Sequence, residues 1–552
     1  MSALWQLPGY SKKIITKQEL NMLHPVKSLL VFTLLITTFF LASGNNNLYN
    51  VLDFGGVGDN TTINTEAIQN AIDLCSEKGG KVYFPAGEYI SGTLYLKSNV
   101  TIHLSENAKL IGSTNIKDYP HNSPAYKFYG DTWVKQSLIY AEKQENIAIT
   151  GNGTIDGQGW AFKNTTKKKP DRYMNRPYVL WFVECTNVKV EDIFMTNSAM
   201  WMQHYLACNK VRIRGIRVFN HCNYNNDMID IDGCKDVIIS DCIGDTDDDA
   251  LTIKSTSNRK SENIIVNNCI LSSHCNAIKC GTESSGGFKN IVISNCIIRP
   301  SEQRTTMYGT PNGLSGITLG MVDGGVLDGI NINNIIIDGA GVPLYMRLGN
   351  RARAYRPDQG EIPVGSFKNV QINNVYATDA DSISCSFTGI PGHPIENISL
   401  SNIQISFKGG VEMNENLLDV PELETHYPES TKFGILPASA LYIRHAKNIN
   451  LNQIQFSFDK TDTRPAVICD DVENLRLQNI SIGINSKPKY MLGLKNCSFV
   501  NVSGWKIVSP IETFVKINGE KSKEIRIYNN QGNFSKKMET GNDVAKNAVV
   551  EN

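Results

Sequence analysis

Two clusters of acidic side chains lie close together in the middle of this 552-residue chain, and together they could do acid–base chemistry. The first is Asn225-Asn-Asp-Met-Ile-Asp230, and the second is Asp245-Thr-Asp-Asp-Asp249. Hydrolysis of a glycosidic bond needs such a set, because one carboxyl group must donate a proton to the leaving oxygen while another, ionised, activates water. The alternatives are a solvated acidic turn and a calcium loop, although the sequence lacks the Asp-x-Asp-x-Asp-Gly spacing of calcium loops.

A repeated phrase surrounds the clusters and indicates the fold that must position them. A polar residue is followed by alternating hydrophobic residues, as in Asn187-Val-Lys-Val, Lys210-Val-Arg-Ile, Asp236-Val-Ile-Ile, Asn263-Ile-Ile-Val and Asn290-Ile-Val-Ile. The alternation is typical of strands buried on one face. The period of 23 to 27 residues indicates a solenoid of short strands, whereas a propeller repeats at ~40–45 residues. We therefore predict an all-β fold, a right-handed parallel β-helix.

Stacking of the coils should bring the two acidic clusters together. Asp248 follows Asp227 by 21 residues, close to one coil. Matching positions on adjacent coils are separated by ~4.8 Å of backbone spacing. We therefore expect Asp227, Asp248 and Asp249 to meet on one face of the solenoid. Asn residues suit the corners of the coils, because they tolerate left-handed backbone and can bond to the Asn one coil above.

The rest of the chain fits a single β-helix domain over residues 45–534. The amphipathic stretch Thr65–Cys75 predicts a helix that caps the N-terminal end of the solenoid, since a solenoid needs capped ends. Residues 408–440 lack the repeat and predict a long loop laid on the outside. The polar residues 535–552 predict a frayed tail.

Charge and one apolar run bear on location. The 54 Lys and Arg residues balance 54 Asp and Glu residues, which disfavours a general nucleic-acid coat. The run Leu29–Ala42 has the length of a signal-peptide core and is short for a membrane span of ~20 residues, so a membrane anchor is the less favoured alternative. We predict a signal peptide within residues 1–44, a start at Met22, and a secreted or periplasmic mature chain without a membrane span.

The thirteen cysteines do not indicate a disulfide framework or a metal site. The sequence has no CxxC pair and no His/Cys zinc spacing. Several cysteines recur at equivalent places in the repeat, as stacked small apolar residues would; these are Cys185, Cys208, Cys234, Cys242, Cys269 and Cys296. We therefore predict no cofactor and no metal.

The motifs resemble those of glycoside hydrolase family 28, the polygalacturonases and related pectin hydrolases, in its bacterial branch. The resemblance runs over about residues 51–480. Asn225-Asn-Asp227 is similar to the family's Asn-Thr-Asp motif, and Asp248-Asp-Ala-Leu-Thr-Ile-Lys-Ser255 is similar to its Asp-Asp motif and the strand that follows. The resemblance implies that Asp248 is the general acid, that Asp227 and Asp249 hold and activate the attacking water, and that the anomeric carbon is inverted.

Two motifs depart from the family pattern. The Gly-His-Gly-x-x-x-Gly-Ser motif aligns with Cys275-Asn-Ala-Ile-Lys-Cys-Gly-Thr282, so Asn276 replaces the histidine that supports the acid; His274 and Lys279 are the candidates to compensate. The Arg-Ile-Lys motif most resembles Arg347-Leu-Gly349, whose arginine could grip a galacturonate carboxylate bidentately. The alternatives are surface positions for the lysine and the arginine. The predicted substrate-binding residues are Trp201, which could instead be core packing, His204, Asn225, Asn276, Lys279 and Arg347.

Together these features predict an exported hydrolase that cleaves α-linked galacturonic acid, or a related rhamnogalacturonan bond, in pectin by inversion. The altered motifs and large loops favour exo action, and Tyr427, Pro428 and Glu429 on the long loop resemble a lid of bacterial members. The expected partner is a pectic poly- or oligosaccharide, bound by a monomer. The alternatives are a pectate lyase, which would use Arg or Lys with calcium, and a β-helix that binds glycans without cleaving them.

Overall fold

Parallel strands stack coil upon coil in the computed structural model, which describes residues 47–163, 166, 168 and 171–550. From Tyr49 onward the chain groups into one unit. The fold is all-β and a parallel β-helix, as predicted. The predicted signal peptide and its start at Met22 lie outside the described residues. Within the described part of the chain, no helix has both the length and the apolar character needed to cross a bilayer.

The 37 strands form three ladders, A, B and C, in which each strand pairs in parallel with a strand one coil away. Strands that belong to ladder A alone are β3 (Gly80–Phe84), β6 (Val100–Leu104), β9 (Glu145–Thr150), β12 (Thr186–Glu191), β15 (Asn209–Arg214), β18 (Lys235–Ser240), β21 (Ser261–Asn267), β34 (Ser498–Ser503) and β36 (Lys523–Tyr528). Those of ladder B are β2 (Asp59–Ile63), β4 (Gly87–Ser91), β7 (Ala108–Gly112), β10 (Thr154–Asp156), β13 (Phe194–Thr196), β16 (Arg217–Asn220), β19 (Ile243–Thr246) and β22 (Ile270–Ser273).

Ladder C carries the candidate site on its outer side. Its strands are β5 (Leu94–Tyr95), β8 (Ser137–Glu142), β11 (Tyr178–Val183), β14 (Gln203–Leu206), β17 (Ile229–Asp232), β20 (Leu251–Ser255), β23 (Asn276–Ser284), β25 (Ser315–Met321), β27 (Val342–Leu348), β29 (Cys385–Thr388) and β33 (Tyr490–Lys495). Longer strands turn a corner and join two ladders; these are β24 (Gly287–Ile298), β26 (Val326–Asp338), β28 (Ser366–Ala380), β30 (Ile395–Gly409), β35 (Lys506–Asn518) and β37 (Gln531–Thr540). The two longest strands, β31 (Leu441–Lys460) and β32 (Val467–Ile482), run through all three ladders. The first strand is β1 (Leu48–Asn50).

The alternating hydrophobic residues stack in rows inside the solenoid. In ladder A the register places five buried side chains one above another, namely Val188, Val211, Val237, Ile264 and Ile291. Each coil adds another such residue, and burial of apolar area is worth roughly 25 cal/mol per Å². The hydrophobic core therefore runs along the axis of the solenoid, and the outward-facing positions of every strand are left for function.

Asn residues at the corners hold the coils in register. Asn397, Asn448 and Asn474 adopt φ of 57°, 56° and 55°, in the left-handed region that Asn tolerates better than most L-residues. The Nδ2 of Asn448 donates to Oδ1 of Asn397, and the Nδ2 of Asn474 donates to Oδ1 of Asn448, both at 2.8 Å. The predicted corner role of Asn is confirmed.

The two ends of the solenoid differ. The helix α1 (Thr65–Lys78) buries Ile68, Ala71, Ile72 and Cys75 against the first coils, so the predicted N-terminal cap is confirmed. The predicted tail from residue 535 is corrected, because residues 535–540 belong to β37, which pairs with β35. A strand forms there despite the polar sequence, because backbone groups on the side of β35 that faces away from β33 can pair with it. Short 3-10 helices lie at Val51–Phe54, Ile116–Asp118, Gly159–Ala161, Asp171–Tyr173 and Glu415–Leu418.

The thirteen cysteines are all free thiols, and all but Cys222 are buried. Cys185, Cys208 and Cys234 follow strands of ladder C on three successive coils. Their sulfurs face backbone carbonyls, as in the 3.4 Å contact from Sγ of Cys208 to the Phe182 oxygen. These cysteines pack as small hydrophobic side chains.

Candidate active site

Short turns between ladders B and C carry the acidic residues. Asp227 lies two residues before Ile229 and Asp249 lies two residues before Leu251, and the register pairs Ile229 with Leu251. Asn276 opens the next strand of the same ladder, and its backbone N donates to Oδ1 of Asp249 at 3.1 Å. Asp227, Asp249 and Asn276 therefore form a row across three adjacent coils, which is the arrangement that the coil-length spacing predicts.

Asp249 is buried and is held by partners that favour its ionised form. Its Oδ1 accepts from Nδ2 of Asn276 at 2.7 Å, and its Oδ2 accepts from Nζ of Lys279 at 2.8 Å. Burial alone would raise the pKa of Asp249, but the charges of Lys279 and Lys254 and these hydrogen bonds hold it below its usual value. Lys279 also donates to the Tyr427 hydroxyl at 3.1 Å, which ties the long loop to the acids.

Asp248 is a carboxyl group whose pKa lies close to neutral pH. Its Oδ2 accepts from Nδ2 of Asn225 at 3.3 Å, and its Oδ1 accepts from the backbone N of Asp249 at 3.0 Å. Burial, and then the charge of Asp249, raises the pKa of Asp248 to about 7, although Lys279 and Lys254 act in the opposite direction. Below pH 7 Asp248 is therefore mostly protonated, which is the state that a general acid needs.

A buried lysine, Lys254, organises a second set of carboxylates. Its Nζ lies 3.6 Å from Oδ2 of Asp227, 3.3 Å from Oδ1 of Asp230 and 3.8 Å from Oε2 of Glu283. Burial would lower the pKa of Lys254, but these carboxylates raise it above its usual value, so the ammonium stays charged. Burial, followed by the charges of Asp230 and Asp248, raises the pKa of Asp227, and Lys254 opposes that rise.

One oxygen of Asp227 is available to a ligand. Its Oδ1 is buried and has no hydrogen-bond partner among the described residues, although Asp227 lines a cleft. A buried carboxylate oxygen without a donor is costly, so a water molecule or a substrate hydroxyl placed there would be stabilised.

The acids line a cleft of about 380 Å³ above ladder C, within the size range of small-ligand sites. Five connections surround it and include the described parts of 113–136, 157–177, 299–314, 349–365 and 410–440. They contribute Tyr129, Trp133, Arg172, Tyr173, Tyr308, Arg353, Tyr427 and Glu429 to the lining. The cleft is therefore built by loops on a rigid strand floor.

Two of these loops reach the acids from opposite directions along the solenoid. Loop 113–136 precedes β8, yet the backbone N of Tyr129 donates to the oxygen of Thr256 at 2.9 Å, just beyond β20, four coils later. Loop 410–440 precedes β31, yet Tyr427 contacts Lys279 on β23, four coils earlier. An outer face that would be an open groove thereby becomes a pocket with a wall at each end.

Aromatic rings cover one side of the acidic floor. Trp201 lines the cleft and stacks on Tyr178 with ring centroids 5.6 Å apart and an interplanar angle of 3°. The Nζ of Lys254 lies 4.6 Å from the Trp201 centroid, a cation–π distance. Trp201 therefore belongs to the lining of the cleft. It also packs against Tyr178 and Lys254, and its role in substrate binding stays a prediction.

Two arginines bring positive charge to the cleft. Arg353 lies over the Tyr129 ring at 4.1 Å, and its Nη1 is 3.0 Å from Oε1 of Glu283. Arg172 bonds to the Tyr308 hydroxyl, while its buried Nε has no partner among the described residues. Arginine is suited to bidentate recognition of a carboxylate, so these two side chains could bind an anionic ligand.

Four of the predicted substrate-binding residues lie outside the described lining of the cleft: Asn276 and Lys279, which bond to Asp249, and His204 and Arg347, which do not. His204 is buried, with its Nε2 3.0 Å from Oδ2 of Asp232. Arg347 is buried under loop 410–440, where it donates to Thr388 at 3.1 Å and to two backbone carbonyls. Because fixed acceptors occupy its guanidinium, Arg347 anchors the loop.

At the position where the family motif has a histidine, Asn276 contacts Asp249. Asn276 and Lys279 both donate to that carboxylate, as described above. His274 does not take part, because its Nδ1 lies 2.9 Å from Oδ1 of Asp247 and its Nε2 lies 2.7 Å from the oxygen of Gln303. Of the two candidates to compensate, only Lys279 bonds to one of the three predicted catalytic residues among the described contacts, and its compensating role stays a prediction.

The sequence did not predict most of the cleft lining, including four residues that carry a charge or a hydroxyl: Lys254, Arg172, Tyr308 and Arg353. Strand alternation could have indicated Lys254, because Leu251 and Ile253 point inward and the lysine follows them on the outer side. The other three lie in loops 157–177, 299–314 and 349–365, which lack the repeat. No sequence spacing relates these loops to the acids.

Comparison with known proteins points to one family. Residues 75–423 match glycosyl hydrolases family 28. The chain is 33% identical over 215 residues to a probable polygalacturonase from Vitis vinifera, covering 37% of this chain and 44% of that protein. It is 43% identical over 123 residues to an exo-poly-alpha-D-galacturonosidase from Dickeya chrysanthemi, covering 20% of this chain and 19% of that protein. The matched segments thus span less than half the length of either relative.

Solved structures share the fold. An exopolygalacturonase from Thermotoga maritima superimposes with a TM-score of 0.54 at 25% identity, covering 65% of this chain and 87% of that one. A family 28 exopolygalacturonase from Yersinia enterocolitica superimposes with a TM-score of 0.57 at 20% identity, covering 80% of this chain and 78% of that one, and shows the fold alone. The right-handed β-helix that the sequence predicts is the fold of these neighbours.

Proposed function

Because the chain belongs to glycosyl hydrolases family 28 and is a glycosyl hydrolase, we propose that it cleaves α-linked galacturonic acid from pectic chains, acting from one end and with inversion. The observation that supports the chemistry is the difference in pKa between two neighbouring carboxyl groups. Asp248 has its pKa raised to about 7, while Asp249 is held below its usual value. An acid and a base with separated pKa values are what an inverting glycosidase requires.

The proposed reaction uses each carboxyl group once. Asp248 donates its proton to the leaving glycosidic oxygen as the bond to the anomeric carbon breaks. A water molecule attacks that carbon from the opposite face, and its proton passes to Asp249, the carboxylate that Lys279 and Asn276 keep ionised. Asp227, with its free Oδ1, helps to hold the water. The next cycle begins when Asp248 regains a proton from solvent and Asp249 loses one.

The walls of the cleft support the proposal of exo action. A polymer crossing an open groove can be cut anywhere, whereas a pocket closed by loops 113–136 and 410–440 admits a chain end. The volume of about 380 Å³ suits a short stretch of sugar and not a long one. Relatives from Dickeya chrysanthemi and Thermotoga maritima carry exo-acting names, which supports the same mode.

Recognition of the uronate is assigned to the loop arginines. Arg172 and Arg353 line the cleft, while Arg347 donates to fixed acceptors outside it. The buried and unpartnered Nε of Arg172 gives a carboxylate a donor that the protein alone does not use among its described residues. We extend the proposal to export, on the predicted signal peptide in residues 1–44, and to a monomer.

Product analysis tests the proposal. Purified protein is incubated with polygalacturonate and with a rhamnogalacturonan digest, without added metal and, in a parallel reaction, with added Ca²⁺, and products are followed by reducing ends, size and absorbance of unsaturated sugars. We expect saturated galacturonic acid released as small products from the first moments. Early mixed-length oligomers would contradict exo action, unsaturated calcium-dependent products would identify a lyase, and binding without any release would identify a glycan-binding protein.

A further inference from the structure

A second cluster of ionisable side chains lies beside the catalytic turn and does not contribute to the described lining of the cleft. It contains His221, Asp247 and His274, whose side chains are 4%, 1% and 0% exposed. One ligand atom from each lies within 4.8 Å of the other two, and the two imidazole centroids are 4.9 Å apart. The register pairs Asn220 with Thr246 and Thr246 with Ser273, so the three residues occupy one position on three successive coils.

The far nitrogen of each imidazole is already held. The Nε2 of His221 lies 2.9 Å from Oδ1 of Asp245, and the Nε2 of His274 lies 2.7 Å from the oxygen of Gln303. Histidines that bind metals usually donate their other N–H to a carboxylate or a backbone carbonyl in this way, which fixes the tautomer and the ring. Both rings therefore keep Nδ1 for another partner.

The described residues do not provide a hydrogen-bond partner for both Nδ1 atoms. His221 Nδ1 is buried without a hydrogen-bond partner among the described residues, and His274 Nδ1 lies 2.9 Å from Oδ1 of Asp247. His274 faces an acceptor with each nitrogen, so without a bound ion it satisfies both only as a protonated imidazolium. A cation bound by both Nδ1 atoms and by Asp247 would satisfy the orphaned nitrogen, the second nitrogen of His274 and the carboxylate together.

We propose that His221, His274 and Asp247 bind a divalent transition-metal ion of the Zn²⁺ type. Imidazole nitrogen suits zinc and its neighbours, whereas calcium takes oxygen ligands. Three protein ligands leave a fourth position for water or another donor. The two positive charges of the ion balance Asp247 and the adjacent Asp245, and its binding displaces protons from the Nδ1 atoms.

The ion would fix a wall of the cleft to its floor. Asp247 also accepts from the backbone N of Met307 at 2.8 Å and of Tyr308 at 3.2 Å. These residues lie in loop 299–314, which brings Tyr308 to Arg172. The ion would thus stabilise the turn that carries Asp248 and the loop above it, without touching the reacting groups.

The sequence spacing did not indicate this site, because its ligands lie one coil apart and not within a few residues. It therefore revises the prediction of no metal. Zinc motifs read from sequence have two ligands close together in the chain, while a solenoid brings equivalent positions of different coils into contact.

Metal binding by the full chain tests the proposal. The protein is stripped with a chelator, dialysed, and titrated with Zn²⁺ alone and with Co²⁺ alone, while metal content and cobalt absorbance are recorded. We expect one ion per chain in the wild type and none in His221→Ala or His221→Gln, the second of which can keep the bond to Asp245. Asp245→Asn should weaken binding by about 10–100-fold, the usual effect of losing an outer partner of a ligand histidine.

His445→Ala is the matched control. His445 also lies between two carboxylates, with Nδ1 2.7 Å from Oδ2 of Asp471 and Nε2 3.1 Å from Oε1 of Glu422, and both of its nitrogens are occupied. Its replacement should leave the stoichiometry at one. Failure of the folded wild type to bind either ion, binding that persists in both His221 variants, or equal loss in His445→Ala would overturn the proposal.

Discussion

Asp245 and Asp248 lie three residues apart in one short segment, yet the protein treats their carboxyl groups in opposite ways. Asp245 accepts from His221, from the Ser301 hydroxyl at 2.6 Å and from the backbone N of Glu302 at 2.8 Å. Burial would raise the pKa of Asp245, but these donors hold it below its usual value. Asp248 has fewer and longer contacts, and its pKa rises to about 7. The hydrogen-bond partners, and not the residue type, therefore decide that Asp245 is a structural carboxylate and that Asp248 can act as an acid.

Arginine shows the same contrast. Arg347 is saturated by Thr388 and by backbone carbonyls, so it holds loop 410–440 in place. Arg172 lines the cleft with a buried nitrogen left without a partner among the described residues. A charged side chain whose donors are all bonded to protein groups is part of the scaffold, whereas one with an unbonded donor can bind a ligand. Each prediction below tests one pair of this kind.

The largest effect is expected from Asp248→Asn. Removing the proton donor should lower kcat on polygalacturonate by about 10²–10⁴-fold, the usual contribution of general acid catalysis. The urea midpoint should hardly change, because the amide fits the same space. Asp245→Asn is the paired variant. It should lower the urea midpoint more than Asp248→Asn does, and it should lower kcat less. Full activity of Asp248→Asn, or a larger loss of kcat in Asp245→Asn than in Asp248→Asn, would contradict the assignment of Asp248 as the acid.

The next effect concerns substrate affinity. Arg353→Gln and Arg172→Gln should each raise KM for polygalacturonate by roughly 10–100-fold, because a hydrogen bond to a charged group is worth about 1.5–3 kcal/mol. Arg356→Gln is the control, since Arg356 lies on the same loop, pairs with Asp358 at 3.2 Å and does not line the cleft. A KM unchanged in both cleft variants, measured by initial rates, would remove them from carboxylate recognition.

The pH profile of kcat/KM should follow the two carboxyl groups. Activity should fall about tenfold per pH unit above about 7, as Asp248 loses its proton, and should fall on the acid side only below the usual aspartate value of 3.8, where Asp249 becomes protonated. Lys279→Gln removes the charge that lowers both pKa values, so both limbs should move to higher pH, the acid limb further. An acid limb that stays at the same pH would show that Lys279 does not lower the pKa of Asp249.

The sequence predicted the scaffold better than the walls. The alternation and the 23–27-residue period determine the coils, and the coil length brings Asp227 and Asp249 together, because both are local properties repeated along the chain. The loops obey no period, so Arg353 and Tyr308 could not be placed, and Arg347 was assigned to the cleft although loop 410–440 covers it. Motif similarity locates a residue on a strand but does not say which loop lies over it.

The smallest effect is expected at a corner of the solenoid, at Asn448, whose side chain bonds to other corner asparagines. Asn448 adopts φ of 56° and bonds to Asn397 and Asn474, both at 2.8 Å. Asn448→Ala loses these bonds and adds a left-handed strain of about 1–2 kcal/mol, whereas Asn448→Gly loses the bonds alone. We expect the free energy of unfolding, from urea titration, to fall by about 1 kcal/mol more for Ala than for Gly. Both variants should keep the wild-type kcat, since this corner only holds coils in register; equal stabilities would show that the backbone there is unstrained.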